Sequence, residues 1–190
     1  MSGKPVKGIL LLAFGGADSI ESVEPFVKNV LKGRIPTQEL IDKARERYKL
    51  IGGKSPLLDI TLAQGKAVTG MLNADPEARY EYRAYVGMRY WHPFIAETVG
   101  KMKADGVDEA IAVIMSPFLS LVATGAYIED LEAAVGVHGG PSVEMLGSWH
   151  MERPFRDLVA ENIEKELSGL DRKDSLIIFS SHSLPAVAVE

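Results

Sequence analysis

The chain has 190 residues, 46% of them apolar and 25% charged, values of a globular protein rather than of a disordered, collagenous or coiled-coil chain. It contains no cysteine, which excludes disulfides, thiolate-held clusters, zinc knuckles and a cysteine nucleophile, and fits the reducing cytoplasm taken here as its expected location. A formal net charge of −5 argues against a nucleic-acid partner, whose phosphates require clustered Lys and Arg.

In chain order, residues 8–14 form a continuous apolar run closed by Gly15-Gly16, the pattern of a strand buried on both faces. Lys4 and Lys7 imitate the start of a signal peptide, but the run behind them is too short for its apolar region or for a membrane span. Asp18 and Glu21 have capping-box spacing, and Phe26, Val27, Val30 and Leu31 follow at helical spacing, with Pro25 near the helix start. Thr37 is placed to cap a second helix carrying Leu40, Ile41, Ala44 and Tyr48 on one face, stopped by Gly52-Gly53. Ser55-Pro56 reads as an N-cap and first-turn proline of a long helix that includes Leu57, Leu58, Ala67 and Leu72. Tyr80, Tyr82, Ala84 and Val86 alternate as a second strand, and His92-Pro93 opens a helix that ends at Gly106. Residues 110–115 read as the third strand, 127–135 as a helix and 143–146 as the fourth strand. Pro154 starts another helix, and 176–179 reads as a fifth strand.

Strands alternating with helices predict an α/β fold, a doubly wound parallel sheet forming one domain over residues 1–190. The first crossover is a long helical insertion, about three helices where one suffices. The spacing therefore predicts that 19–73 lies over the mouth of a site lined by Phe14. Open parallel sheets hold ligands at the carboxyl ends of their strands. His92, His150 and His182, three of the four histidines, and both tryptophans fall in segments that leave those ends. Such an edge suits a flat aromatic ligand, a metal, or both.

Gly15-Gly16 lacks a dinucleotide or P-loop pattern and reads as a tight turn near a ligand. His92 reads as the neighbour of a helix start, and His150 is compatible with a structural or a ligand role. Asp18, Glu21 and Asp59 read as helix-start charges. His182, in Ser-Ser-His-Ser-Leu-Pro just past an apolar run, is the functional candidate, because a neutral imidazole there can take a proton or hold a transition metal. Ser180, Ser181 and Ser183 have no nucleophile-elbow pattern around them, so a serine hydrolase is a poor reading.

Four segments carry a resemblance. Gly8-Ile-Leu-Leu-Leu-Ala-Phe-Gly-Gly, Arg47-Tyr-Lys-Leu-Ile-Gly-Gly-Lys-Ser-Pro-Leu, Gly87-Met-Arg-Tyr-Trp-His-Pro and Phe179-Ser-Ser-His-Ser-Leu-Pro, in this order, resemble the ferrochelatase family from about residue 6 onward. The resemblance implies a chelatase-like domain and insertion of ferrous iron into a porphyrin for heme biosynthesis. Iron is then a substrate and there is no cofactor. It implies His182 as the catalytic histidine, handling pyrrole protons or the metal. Phe14 falls near the porphyrin face, where coproporphyrin-type members carry Tyr. Arg89, Tyr90 and Tyr127 become substrate-binding positions, and Arg47, Ser55 and Lys32 outer metal or anion contacts. Protoporphyrin IX and coproporphyrin III both remain open as the porphyrin, and iron and cobalt as the metal.

The family has two similar domains with the cleft between them. This chain is expected to stop where the family crosses into the second domain, whose glutamate faces the histidine. Alone it is therefore expected to insert metal slowly or not at all. Two other readings stand beside this one: a non-catalytic tetrapyrrole- or metal-binding domain, and a homodimer whose two copies build the cleft.

Overall fold

The computed structural model describes residues 4–118, 121–171 and 173–180. The elements run β1 (Val6–Ala13), α1 (Val23–Val30), α2 (Gln38–Leu50), α3 (Leu57–Ala74), β2 (Glu81–Met88), α4 (Ile95–Ala104), β3 (Glu109–Ile114), α5 (Leu121–His138), β4 (Ser142–Leu146) and α6 (Arg153–Leu167). The four strands make one parallel sheet in the order β2-β1-β3-β4, as the alternation of elements predicts.

β1 is apolar throughout its second half because it is covered on both faces. Ile9, Leu11 and Ala13 point to one side, where they meet Val86 and Met88 and the start of α3. Leu10 and Leu12 point to the other, into a core shared with Ile95, Val99 and Met102 of the α4 side and Tyr127 and Leu131 of α5. Gly65 lets α3 sit close on the sheet: a Cβ there would lie 3.0 Å from Ala84 Cβ and 3.2 Å from Leu11 Cδ1.

β1 and β3 are neighbours, but the chain leaves them in opposite directions. From β1 it returns to β2 by way of α3 on one face; from β3 it goes on to β4 by way of α5 on the other. The loops after β1 and β3 part at that point, which is where an open parallel sheet opens its crevice.

Four expectations about local structure meet different outcomes. Thr37 does cap α2, its hydroxyl accepting Leu40 N–H at 3.3 Å, and Ser55 Oγ accepts Leu57 N–H at 3.2 Å as α3 begins. The Asp18–Glu21 capping box does not form. Ser22 takes the central place instead: its Oγ accepts the N–H of Asp18 and Ser19 and donates to the Asp18 carboxylate, so 18–22 closes as a loop before α1. The inserted helices divide, since α3 is an ordinary crossover packed on the sheet and only α1 and α2 are extra.

The fourth expectation is corrected outright. Residues 176–179 are not a strand: Leu176, Ile178 and Phe179 are exposed, and none of the four described strands pairs with them. A strand persists only where a neighbour takes its backbone hydrogen bonds, and an apolar run supplies no neighbour. α6, just before it, buries none of its residues. Among the described residues, no helix is long and apolar enough to cross a membrane.

Candidate active site

The site starts where β1 and β2 run out. Their pairing continues past the strand ends, with Arg89 N–H donating to Ala13 O (2.9 Å) and Tyr90 N–H to Phe14 O (3.0 Å). Backbone pairing thus sets Phe14 beside Tyr90, their ring centroids 4.6 Å apart. Phe26 of α1 meets Phe14, Trp91 and Tyr48 edge-on, each at 6.3 Å, and Asn29 donates its amide to Tyr90 O at 3.1 Å. These contacts lay α1 across the carboxyl ends, so the expected cover over the site holds for α1. Phe14 remains 47% exposed.

Arg89 is the centre of the polar part. Its Nε donates to Asp130 of α5 at 2.7 Å, and its guanidinium carbon lies 4.9 Å from the Tyr90 ring centroid and 5.6 Å from that of Tyr127. Burial pushes the Tyr127 phenol up to about 12, so it stays neutral and its ring packs beneath the cation. Beside this cluster opens a cavity of about 590 Å³ between α1, the end of β2, α4 and α5, with Lys28, Asn29 and Lys32 on its α1 side.

The Gly15-Gly16 turn is held from the helical side. Ala17 N–H donates to Tyr48 Oη (2.9 Å), and Ala17 O accepts Ser55 N–H (2.8 Å). Gly16 allows this approach, because a Cβ there would sit 2.5 Å from both Ser55 Cβ and Oγ. Next to the turn, the Ser22 hydroxyl, donating to Asp18, holds the Asp18 carboxyl below the usual range, against the opposing effect of burial.

The structure gathers Phe14, Arg89, Tyr90 and Tyr127 into one continuous run and brings Ser55 against the neighbouring turn. Lys32 lines the cavity in a left-handed conformation (φ 46°). Arg47 is exposed on the last turn of α2 and makes no ion pair among the described residues. A guanidinium has no lone pair to give a metal, which limits Arg47 to anions or to contacts beyond the ligand shell. His92 binds Glu97, Nδ1 lying 2.9 Å from Oε1, while the same carboxylate accepts Phe94 N–H at the start of α4. That is the helix-start role the sequence suggests. His150 follows β4 at the same sheet edge. Its ring lies against Phe118 at 5.6 Å, and its buried Nδ1 has no hydrogen-bond partner among the described residues. His182 lies outside the described residues, as does the rest of its motif beyond Ser180.

Sequence reasoning misses Asp130, which is 41 positions from its partner. Local spacing carries no trace of it. The only available signal is that a largely buried arginine requires a counter-ion. No group of three or more His, Asp or Glu that could hold a metal occurs among the described residues.

A doubly wound α/β domain that gathers aromatic rings and a largely buried arginine at the carboxyl edge of its strands has the layout of a ligand-binding α/β domain. The family model described as Ferrochelatase matches residues 6–190, and the chain belongs to the ferrochelatase family. It is 34% identical over 185 residues to a coproporphyrin III ferrochelatase of Geobacillus sp. (strain WCH70), covering 96% of this chain and 59% of that protein. With coproporphyrin III ferrochelatase 2 of Bacillus cereus it shares 35% identity over 179 residues, 94% of this chain and 56% of the relative. A ferrochelatase of Herpetosiphon aurantiacus is 34% identical over 183 residues, 93% and 59% of the two chains. The chain thus spans somewhat under two thirds of the length of these relatives. Among solved structures, a cobalamin (vitamin B12) biosynthesis CbiX protein from Marinobacter aquaeolei VT8 superposes with a TM-score of 0.43 at 13% identity, over 84% of this chain and 95% of that one.

Proposed function

We propose that the protein carrying this chain is a ferrochelatase that inserts ferrous iron into a porphyrin for heme biosynthesis, with this domain as one wall of the cleft. The observation that carries the reading is the run Phe14–Tyr90–Arg89–Tyr127 at the carboxyl edge of a ferrochelatase-family domain. A macrocycle offers flat faces to rings and acidic side arms to cations, and the run supplies both.

Metal insertion exchanges both pyrrole N–H protons for the ferrous ion, whose oxidation state does not change. Iron enters as substrate, and the reading needs no resident cofactor. His182 is assigned to take a ring proton or hand over the metal, since imidazole is neutral near physiological pH and can do either. Ser55 at the turn and Arg47 on α2 are assigned outer contacts to the incoming metal or to an anion. Distorting the flat ring requires binding energy from its periphery, which is the task of the rings and of Arg89.

The names of the relatives, together with Lys28 and Lys32 beside Arg89, favour coproporphyrin III over the less acidic protoporphyrin IX, while Phe14, where coproporphyrin-type members carry Tyr, speaks for the other porphyrin. A cytoplasmic location belongs to the same reading. The exposed Leu146, Leu158 and Ile178 favour a covered surface beyond β4, and a second copy of the chain is the alternative source of the second wall; sedimentation of the protein as a monomer removes that alternative.

The test is zinc or ferrous-iron insertion into both porphyrins by the full-length protein, followed by absorbance, beside His182→Ala. We expect faster insertion into coproporphyrin III, and loss of insertion in the variant at an unchanged melting temperature. A wild-type protein that binds no porphyrin overturns the reading. Parallel loss of activity and melting temperature in the variant returns His182 to a structural role.

A further inference from the structure

Arg89 and Asp130 make an unusual ion pair for the rim of a cleft. The arginine side chain is only 9% exposed, the aspartate 38%. The single close contact uses Nε, and no other hydrogen bond of the guanidinium occurs among the described residues. A guanidinium has further N–H donors on its two terminal nitrogens, so a carboxylate at Nε still leaves an edge that can grip a second carboxylate. The Tyr90 and Tyr127 rings flank the same group and limit the ways its plane can turn. Both partners line the cavity of about 590 Å³, whose other cations are Lys28, already shared with Glu24 at 2.9 Å, and Lys32, which has no ion pair among the described residues.

A fixed, half-satisfied arginine with apolar walls nearby is a receptor for an acid group on a largely apolar body. We propose that Asp130 is a positioning residue: it holds Arg89 by Nε so that the free edge of the guanidinium receives a carboxylate side arm of the substrate in this cavity. The inference rests on the porphyrin reading above but assigns something separate from it, namely which part of the molecule this cavity holds and which residue on α5 makes it able to do so. Without Asp130, Arg89 would remain charged but would lose the contact that fixes its rotamer. Affinity would then fall for acids and not for esters of the same ring.

The experiment measures binding of coproporphyrin III and of its methyl ester by fluorescence quenching, in wild type, Asp130→Asn, Asp130→Glu, Arg89→Ala and the double variant D130N/R89A. Asp130→Asn keeps the shape of the side chain and so separates charge from packing. Expected is roughly tenfold weaker binding of the acid by Asp130→Asn, little change for the ester, partial rescue by Asp130→Glu, and a double variant no weaker than Arg89→Ala alone. In insertion assays the loss should appear in kcat/KM for the acid and not for the ester.

Equal weakening of acid and ester together with a lowered melting temperature would make Asp130 a structural counter-ion and overturn the proposal. So would unchanged binding of the acid in Asp130→Asn. Either outcome leaves the porphyrin reading intact. Failure of wild type to bind acid and ester alike would overturn that reading and this inference together.

Discussion

β1 and residues 176–179 are built from the same kind of side chain, Ile-Leu-Leu-Leu at 9–12 and Leu-Ile-Ile-Phe at the far end. Leu10 and Leu12 are fully buried, and both edges of their strand are paired. Leu176, Ile178 and Phe179 are 84%, 79% and 81% exposed, without a ladder. Intrinsic β preference is similar in the two runs, so the difference lies in what surrounds them. Around β1 stand two strands and helices on each face; no described strand pairs with 176–179, and α6, which precedes them in the chain, has no fully buried residue. Apolar surface contributes to stability only where something removes it from water.

The comparison breaks if the two runs respond alike to truncation. Leu10→Ala or Leu12→Ala should cost about 2–5 kcal/mol, since each leaves a void in a packed core, whereas Ile178→Ala in this chain should stay within about 0.5 kcal/mol. Urea unfolding of the purified chain measures both, and similar losses would mean that 176–179 is packed in solution. Next in size is Gly16→Ala. Its new methyl would meet Ser55 Cβ and Oγ at 2.5 Å, and Ser55 cannot retreat without giving up its 2.8 Å bond to Ala17 O. The expected loss is about 1–3 kcal/mol, read as a lower melting temperature.

Ser22→Ala is a smaller change, of about 1–2 kcal/mol at pH 7, because it removes an acceptor for two N–H groups and the donor to Asp18. The Asp18 carboxyl is held below its ordinary 3.8, so the stability it contributes is present above that value and lost as pH falls through the depressed one. The gap between wild type and Ser22→Ala should accordingly narrow as the pH is taken below 3.8. An acid denaturation series that shows a constant gap would remove the charge from this account.

The last prediction has no effect at neutral pH. Tyr85 and Tyr127 are both pushed up to about 12, chiefly by burial. The folded state keeps these protons when an unfolded chain would release them near 10. The contribution is therefore complete below about pH 10 and is lost as pH rises from there through about 12. Ultraviolet titration of the phenols should show a late-ionising class, and Tyr127→Phe should shrink it. A single ionisation near 10 would mean that α5 does not pack Tyr127 into the core in solution.

Much of the sheet is legible in the sequence because period and punctuation are local. The glycine pair after β1, Thr37, Ser55-Pro56 and Gly106 each act on the backbone within a few residues of themselves. Phe14, Arg89 and Tyr90 are legible as edge residues, because a parallel sheet collects whatever follows its strands at one end. Residues 176–179 mislead for the reason already given. Asp18 misleads because a hydroxyl four residues on competes for its carboxylate. Asp130 is invisible because its partner is brought close by the packing of α5 against the β2 end, and no periodicity encodes that. Tyr127 is reached by resemblance, and only the packing shows that its ring supports Arg89 from below.

The turn after β1 is pinned at Ala17 by Tyr48 from α2 and by Ser55 from the corner before α3. Neither pin is near in sequence; Tyr48 is 31 residues away. These pins close shorter loops than the sheet does, since β1 pairs Val6 with Glu81, so the turn takes its shape before the sheet is complete, whereas the Phe14–Tyr90 contact and the Arg89–Asp130 pair wait for the sheet and for α5. On the porphyrin reading proposed above, ligand affinity at this edge is therefore acquired late in folding. A refolding experiment that follows porphyrin fluorescence should lag one that follows the far-ultraviolet signal of the sheet and helices.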